Sequence, residues 1–419
     1  MGKLKNLFKR MEMDLNRSLS SEVLLYNDAV SIVHDATKLC WDKPTEENYQ
    51  AKKDFIRKRI ATGHESILEH SNIIMLLTIS QDYIDDILSC NYHYLHTAIK
   101  HIDGVYYLLI GGSIRGYKNV FKKQFDQNNV VCKLIANQLY TLCPREFFID
   151  LIEDGVLKDN FTDVMTMNED LDIDISTMDF DEKHPVESCD MKIEITNMDK
   201  FSAVADTLKA KYGFEYEEIL PMFTVSIQFK NMSRVITQQL VRHRNGITQA
   251  SGRYIDLGNA VFNSPEKFKF KYNGVKYDIN IAGTNYTLTL QQIGDILLPI
   301  YDYLRKQGVD KEDARAFLPL NTQCGDVYMT FTYESLLHFL KLRTHQSAQA
   351  EIRIYAQIIY DSLIDRLCNA LHTDRDHVYE YLEPVYKIKY TTEPETMTEE
   401  VIGEPIEEIL EEDTNYGNE

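Results

Sequence analysis

The sequence predicts an α+β protein, with antiparallel sheet and long helices. Three observations carry this expectation. Residues 223–230, FTVSIQFK, alternate apolar and polar side chains at the strand period. Residues 73–79, IIMLLTI, form an apolar run of strand length. From about Ser335 to His372, Leu336, Leu340, Ile352, Tyr355, Ile359 and Leu363 recur at near-helical intervals.

Taken in order, the start MGKLKNLFKRMEMDLN has basic residues but no apolar core and no cleavage site of small residues. It reads as carrying no secretory signal. Asn6 stands where a myristoylation motif needs Ser or Thr. No run of eighteen apolar residues follows, so no membrane-spanning helix is expected. Residues 73–79 read as a buried strand. In 223–230, Phe223, Val225, Ile227 and Phe229 share one face, and Thr224, Ser226, Gln228 and Lys230 the other. That pattern fits a half-buried antiparallel strand. A helix is expected next, capped by Ser233, with Ile236, Leu240 and His243 on one face. Asn245-Gly246 is a suitable stop for it. Residues 105–121, VYYLLIGGSIRGYKNVF, combine a strand-like run with a Gly-Gly turn. They read as structural, with Arg115 reaching the active site as the alternative. No internal repeat is visible.

Composition narrows the function classes. The 419 residues are 44% hydrophobic, enough for a sizeable core. Seven scattered cysteines without a CxxC pair fit a reduced, cytoplasmic protein with no structural zinc. The net charge is −20. All of this negative charge is accounted for by segment 150–199, with 16 acids against three lysines, and by the tail from Thr391, with 11 acids and no Lys or Arg. The tail reads as disordered, and the remainder of the chain is mildly basic. That balance disfavours general nucleic-acid binding and suits small anionic ligands.

The stretch VRHRNGITQASGRY, residues 241–254, concentrates the candidate chemistry. Arg242, His243 and Arg244 would sit at a helix end, where cations interact well with free carbonyls by about 0.3–1 kcal/mol. That structural reading explains the triplet alone. Ser251, Gly252 and Arg253 add a hydroxyl, an approachable backbone and a guanidinium. This combination recognises a phosphate monoester. Ser251 is rejected as a nucleophile because no base is near it in the sequence.

RHRNGITQASGRY resembles the signature of flavin-dependent thymidylate synthases: Arg-His-Arg, a spacer, then Ser, any residue, Arg, Tyr. GHESILEH at 63–70 is similar to that family's GHxSxxEH segment. LRTHQSAQAEIRIYA at 342–356 is similar to its C-terminal helix with Glu-Ile-Arg. LPLN at 318–321 and KLCW at 38–41 fit in the same order. The resemblance covers roughly 20–80 and 223–385. It implies an N-terminal part of a catalytic core over 1–80, an inserted segment over 81–222, a C-terminal core over 223–390 and the tail at 391–419.

The resemblance also implies chemistry. Such enzymes convert dUMP to dTMP with methylenetetrahydrofolate as one-carbon donor and NADPH as reductant through bound FAD, as homotetramers with shared sites. Carried over by position, His64, Ser66, Glu69, Arg242, His243, Arg244, Arg343 and Ser347 would bind the cofactor. Gln239, Gln249, Ser251, Gly252, Arg253 and Arg353 would bind the nucleotide. Arg353, with Arg242, would serve catalysis by balancing charge that develops on the uracil. Arg343, Gln346, Ala350 and Arg353 would share one helical face. His70 is left structural. No metal set is implied: HYLH at 93–96, with His101, lacks a matching carboxylate.

Departures from the family pattern mark the open points. The spacer between Arg244 and Ser251 is six residues, where seven is commoner in the family. No Arg follows LPLN, and Gln323 or a cation from the inserted segment is the candidate replacement. Ser347 stands where the family often has His or Asn, and Lys341 where some members have Asn. A pyrimidine C5-hydroxymethylase is the alternative enzyme. A nucleic-acid-binding protein using the RHR segment, or a scaffold without turnover, would be readings of another class.

Overall fold

The computed structural model describes residues 19–26, 29–41, 48–124, 128–161, 175–179, 190–196, 198–243 and 246–370. The expected disordered tail and Arg244 lie outside the described residues. The strands are β1 (Leu19–Tyr26), β2 (Ile73–Ser80), β3 (His96–Ile102), β4 (Val105–Gly112), β5 (Ile175–Asp179), β6 (Asp190–Thr196), β7 (Thr224–Lys230), β8 (Gly246–Gln249), β9 (Tyr277–Ile281), β10 (Thr284–Leu288) and β11 (Val327–Thr332). One sheet has the order β1-β2-β4-β3 and a second β5-β6-β7-β11-β8, while β9 and β10 form a hairpin. Every pairing is antiparallel. The helices of seven residues or more are α1 (Ala29–Lys38), α2 (Tyr49–Ala61), α3 (Ile114–Gln124), α4 (Val130–Leu142), α5 (Met198–Tyr212), α6 (Arg234–Leu240), α7 (Leu290–Lys306), α8 (Tyr333–Arg343) and α9 (Ala350–Ala370). This is the expected α+β class.

The apolar run of β2 has a plain cause: the strand is covered on both faces. Ile73, Met75, Leu77 and Ile79 enter a core shared with α1, α3 and α4. Ile74 and Leu76 enter a second core shared with β7, β11, α8 and α9. Successive strand residues point to opposite faces, so two cores require an uninterrupted apolar sequence. Segment 81–222 adds β3 and β4 to the first sheet and β5 and β6 to the second.

β7 alternates as its sequence predicts, with Val225, Ile227 and Phe229 in the second core. Its polar face is less open than expected, because Ser226 is buried. Ser226 Oγ lies 2.8 Å from Thr330 Oγ1 on β11. Thr330 Oγ1 lies 3.0 Å from His70 Nδ1, and His70 Nε2 lies 2.9 Å from Thr248 Oγ1 on β8. The short 3-10 segment Glu65–His70 is thus tied across three strands. A buried polar chain of this kind is favourable only when its members are satisfied.

Two sequence expectations are corrected. The single helix from Ser335 to His372 is two helices, α8 and α9, separated at 344–349. Thr344 Oγ1 donates to Leu340 O at 2.7 Å. Ser347 N donates to His345 Nδ1 at 3.2 Å. Side chains that bond nearby backbone compete with the helical ladder. Arg343 and Arg353 therefore do not share one continuous helical face. Second, the α-helix stops a few residues before the Asn245-Gly246 pair, of which Asn245 lies outside the described residues. α6 ends at Leu240 and a 3-10 turn follows over Val241–His243. Gly246 is outside the positive-φ glycines and opens β8. Its lack of a side chain serves close approach instead: a β-carbon there would lie 2.9 Å from the Glu69 carbonyl oxygen. Gly246→Ala should therefore destabilise the fold by about 1–3 kcal/mol through overpacking, read from the urea midpoint.

Candidate active site

α6 and the turn after it carry the first part of the site. Ser233 caps α6, accepting from Ile236 N at 3.4 Å. The same hydroxyl donates to Glu351 Oε2 at 2.9 Å. Glu351, 1% exposed, lies in the first turn of α9, where a carboxylate meets the favourable helix N-terminus. Glu351 therefore fixes the start of α6 against α9. In the sequence Glu351 stands within the Glu-Ile-Arg motif, with nothing local to show this role.

Gln239, near the end of α6, lies between two residues of the α8–α9 junction. Its Nε2 donates to Gln349 Oε1 at 2.7 Å, and its Oε1 accepts from Arg343 Nη1 at 3.4 Å. Arg343 Nε donates to His243 Nε2 at 3.1 Å. Burial, then Arg343, then His338 push the His243 pKa down to about 4. A neutral imidazole with a free Nε2 lone pair is what that hydrogen bond requires. The RHR segment is therefore not three adjacent cations: His243 is neutral. Arg343 is itself held below the usual guanidinium range, first by burial and then by Arg242. Arg242 is exposed beside it. Arg353 Nη1 donates to Gln346 O at 3.0 Å, on the junction that carries Arg343.

The Glu65–His70 segment meets the site through Glu69, whose main chain abuts Gly246. Glu69 pairs with Arg115 of α3. Burial holds its carboxyl above the ordinary range, with Arg115 opposing. His64 and Ser66 are exposed. His64 Nδ1 lies 3.0 Å from Thr62 Oγ1. No hydrogen bond found among the described residues joins His64 or Ser66 to Arg242 or His243. Ser347 is exposed and lies 2.8 Å from His345 Nδ1. His70 is a buried knot of the sheet, as its hydrogen bonds require.

The third part follows β8. Gln249 ends that strand, opposite Val327 of β11. Ser251 N donates to Cys40 O at 3.2 Å, and Ser251 Oγ accepts from Arg253 N at 3.4 Å. Arg253 is exposed, with Nε 2.7 Å from Glu312 Oε2. A cleft of about 480 Å³ opens here, lined by Arg253, Tyr254, Arg305, Asp310, Lys311 and Glu312. Gly252 is buried under Arg315: a β-carbon would lie 3.1 Å from Arg315 Cδ and 3.4 Å from its Nη1. Gln323 is occupied elsewhere, its Nε2 donating to Asn263 at 3.2 Å. Arg315 is thus the guanidinium beside the Ser251–Arg253 loop. The signal was present in EDARAF just before LPLN, but only the fold brings it to Gly252.

The two neutral histidines set a pH dependence. Burial alone lowers the His70 pKa from 6.5 to about 3. The unfolded chain takes up this proton near pH 6.5, so it binds more protons than the fold below that value. Stability should fall as pH is lowered from about 6.5 toward 3, by up to about 1.4 kcal/mol per pH unit from His70. His243 acts in the same direction above pH 4. Urea denaturation at pH 7 and pH 5 checks this: His70→Gln should be less stable at pH 7 but lose less on acidification.

Among the described residues, no group of three or more His, Cys, Asp or Glu could hold a metal ion. No helix there is long and apolar enough to cross a membrane.

The two-sheet α+β fold thus brings Gln239, Arg343 and His243 together at a helix junction and sets the Ser251–Arg253 loop beside a cleft lined by Arg253, Arg305 and Lys311 together with Asp310 and Glu312. Residues 167–367 match the family model described as thymidylate synthase complementing protein. The chain is 32% identical over 155 residues to the flavin-dependent thymidylate synthase of Pyrococcus abyssi, covering 37% of this chain and 60% of that relative. It is 32% identical over 179 residues to that of Thermus thermophilus, covering 42% and 66%. It is 30% identical over 168 residues to that of Wolbachia pipientis, covering 37% and 57%. The chain thus spans about three-fifths of the length of the curated relatives it matches. The matched region, just under half of the chain, is similar to the thymidylate synthase complementing family. That region begins inside segment 81–222, and both the GHESILEH segment and α3 precede it.

Proposed function

We propose that this protein is a flavin-dependent thymidylate synthase, forming dTMP from dUMP with methylenetetrahydrofolate and NADPH as co-substrates and FAD as cofactor. The observation that carries the reading is the Gln239–Arg343–His243 arrangement at the α6 and α8 ends. It binds the RHR turn to the junction that also holds Arg353. The donor set fits a flavin dinucleotide: Arg242 and Arg343 suit its phosphates and ring oxygens, and Glu69 suits its hydroxyl or N–H donors. When bound, FAD supplies the hydride that NADPH provides.

The chain's residues bind and orient. Ser251, Gly252 and Arg253 hold the nucleotide phosphate, with Arg315 behind Gly252 adding charge. Phosphate displaces Glu312 from Arg253, an exchange that costs little because the pair is exposed. Gln239 and Gln249 offer amide groups to the base. Arg353 balances negative charge as the uracil is activated, and Arg242 adds to that field. His64, Ser66, His243 and Ser347 complete the cofactor surface, with Arg244 assigned there by sequence. The functional unit is a homotetramer that shares sites between subunits. Titrating the purified protein with FAD and then NADPH tests the cofactor half: the flavin band should appear bound and bleach on reduction. A colourless protein that leaves FAD unbound would contradict it.

A further inference from the structure

α3 lies along the Glu65–His70 segment and is fixed there by several polar contacts. Ile114 N, at the start of α3, donates to Ser71 Oγ at 3.0 Å. Lys118, 1% exposed, reaches Glu65 at 2.8 Å and Asp150 at 2.6 Å. Lys122 reaches Glu65 at 2.7 Å. These contacts dock the helix. Arg115 does something else. Its Nη1 pairs with Glu69, whose main chain rests on Gly246, the first described residue after the RHR turn. The Arg115 side chain is 39% exposed and that of Glu69 is 30% exposed, so both reach the surface. Lys118 is committed to Glu65 and Asp150 and does not replace Arg115.

We propose that Arg115 is a positioning residue of the cofactor site, holding the Glu69 carboxylate beside the RHR turn so that it accepts hydrogen bonds from bound flavin. The proposal rests on the flavin reading above. It assigns a role in that site to α3, a helix that precedes the family-matched region. The physical case is simple. An ionised carboxylate accepts hydrogen bonds at both oxygens, whereas protonation turns one of them into a donor. Burial works against ionisation of Glu69, and Arg115 is the cation that opposes it. Tying Ile114 to Ser71 sets where the next residue's guanidinium can reach.

The test is FAD affinity by fluorescence titration of the full chain, with melting temperature followed in parallel. The proteins are wild type, Arg115→Ala, Arg115→Lys, Glu69→Gln, the Arg115→Ala/Glu69→Gln pair, and Lys122→Ala. Arg115→Ala should weaken FAD binding by about tenfold, the scale of one charge-assisted hydrogen bond. Arg115→Lys should recover most of that loss. The double variant should bind no more weakly than Glu69→Gln alone, because Arg115 acts through Glu69. Lys122→Ala, at the outer end of the same helix, should bind FAD as wild type does. Unchanged affinity in Arg115→Ala, losses that simply add in the double variant, or an equal loss in Lys122→Ala would each overturn the proposal while leaving the flavin reading intact. A wild-type protein that binds no FAD would remove both.

Discussion

Arg353→Ala should retain bound flavin and lose turnover by about 10²–10³-fold in kcat, the cost of removing one electrostatic stabiliser of developing charge. In the structure Arg353 is not buried, and its guanidinium donates to the Gln346 carbonyl rather than to a carboxylate. Among the described residues no carboxylate pairs with this guanidinium. Glu351, two residues earlier, is buried under Ser233 and holds the helix start in place without Arg353. The substitution should therefore leave the fold intact. The decisive comparison is kcat against flavin content in the same preparation. A yellow protein with normal turnover would remove Arg353 from catalysis.

Arg253→Ala should raise the KM for dUMP by about a hundredfold, because a guanidinium that pairs bidentately with phosphate supplies two charge-assisted hydrogen bonds. Flavin binding should be unaffected. The loop is prepared for this role. Its main chain is anchored through Ser251 N to Cys40 O, and Gly252 packs under Arg315. Arg253 meanwhile rests on Glu312, a partner that a phosphate dianion replaces. Steady-state kinetics with dUMP as the varied substrate gives the answer. Unchanged KM in Arg253→Ala would assign the phosphate to other residues.

The parts of the fold legible in the sequence were those governed by local period. β7 was readable because its apolar residues all enter one core. β2 was readable because two cores claim its two faces. The break at 344–349 escapes an apolar-period reading because helical spacing holds on each side of it, at Leu336 and Leu340 and again at Ile352, Tyr355 and Ile359. The competing signal lay in Thr344, His345 and Ser347, whose side chains bond nearby groups. The candidate site was legible as motifs and not as contacts. Gln239, His243 and Arg343 were named from sequence, but the neutral state of His243 follows from burial beside Arg343. Arg115 meeting Glu69 joins residues 46 positions apart, and no local pattern predicts it. Arg315 beside Gly252 is likewise a product of tertiary packing.

The most direct measurement is tritium release from dUMP labelled at C5, with methylenetetrahydrofolate, FAD and NADPH each omitted in turn. A flavin-dependent thymidylate synthase should release tritium only when all three are present, with dTMP as the product. Release yielding a hydroxymethylated nucleotide would assign a different one-carbon chemistry to the same site. No release from a protein that binds FAD and dUMP would contradict the account.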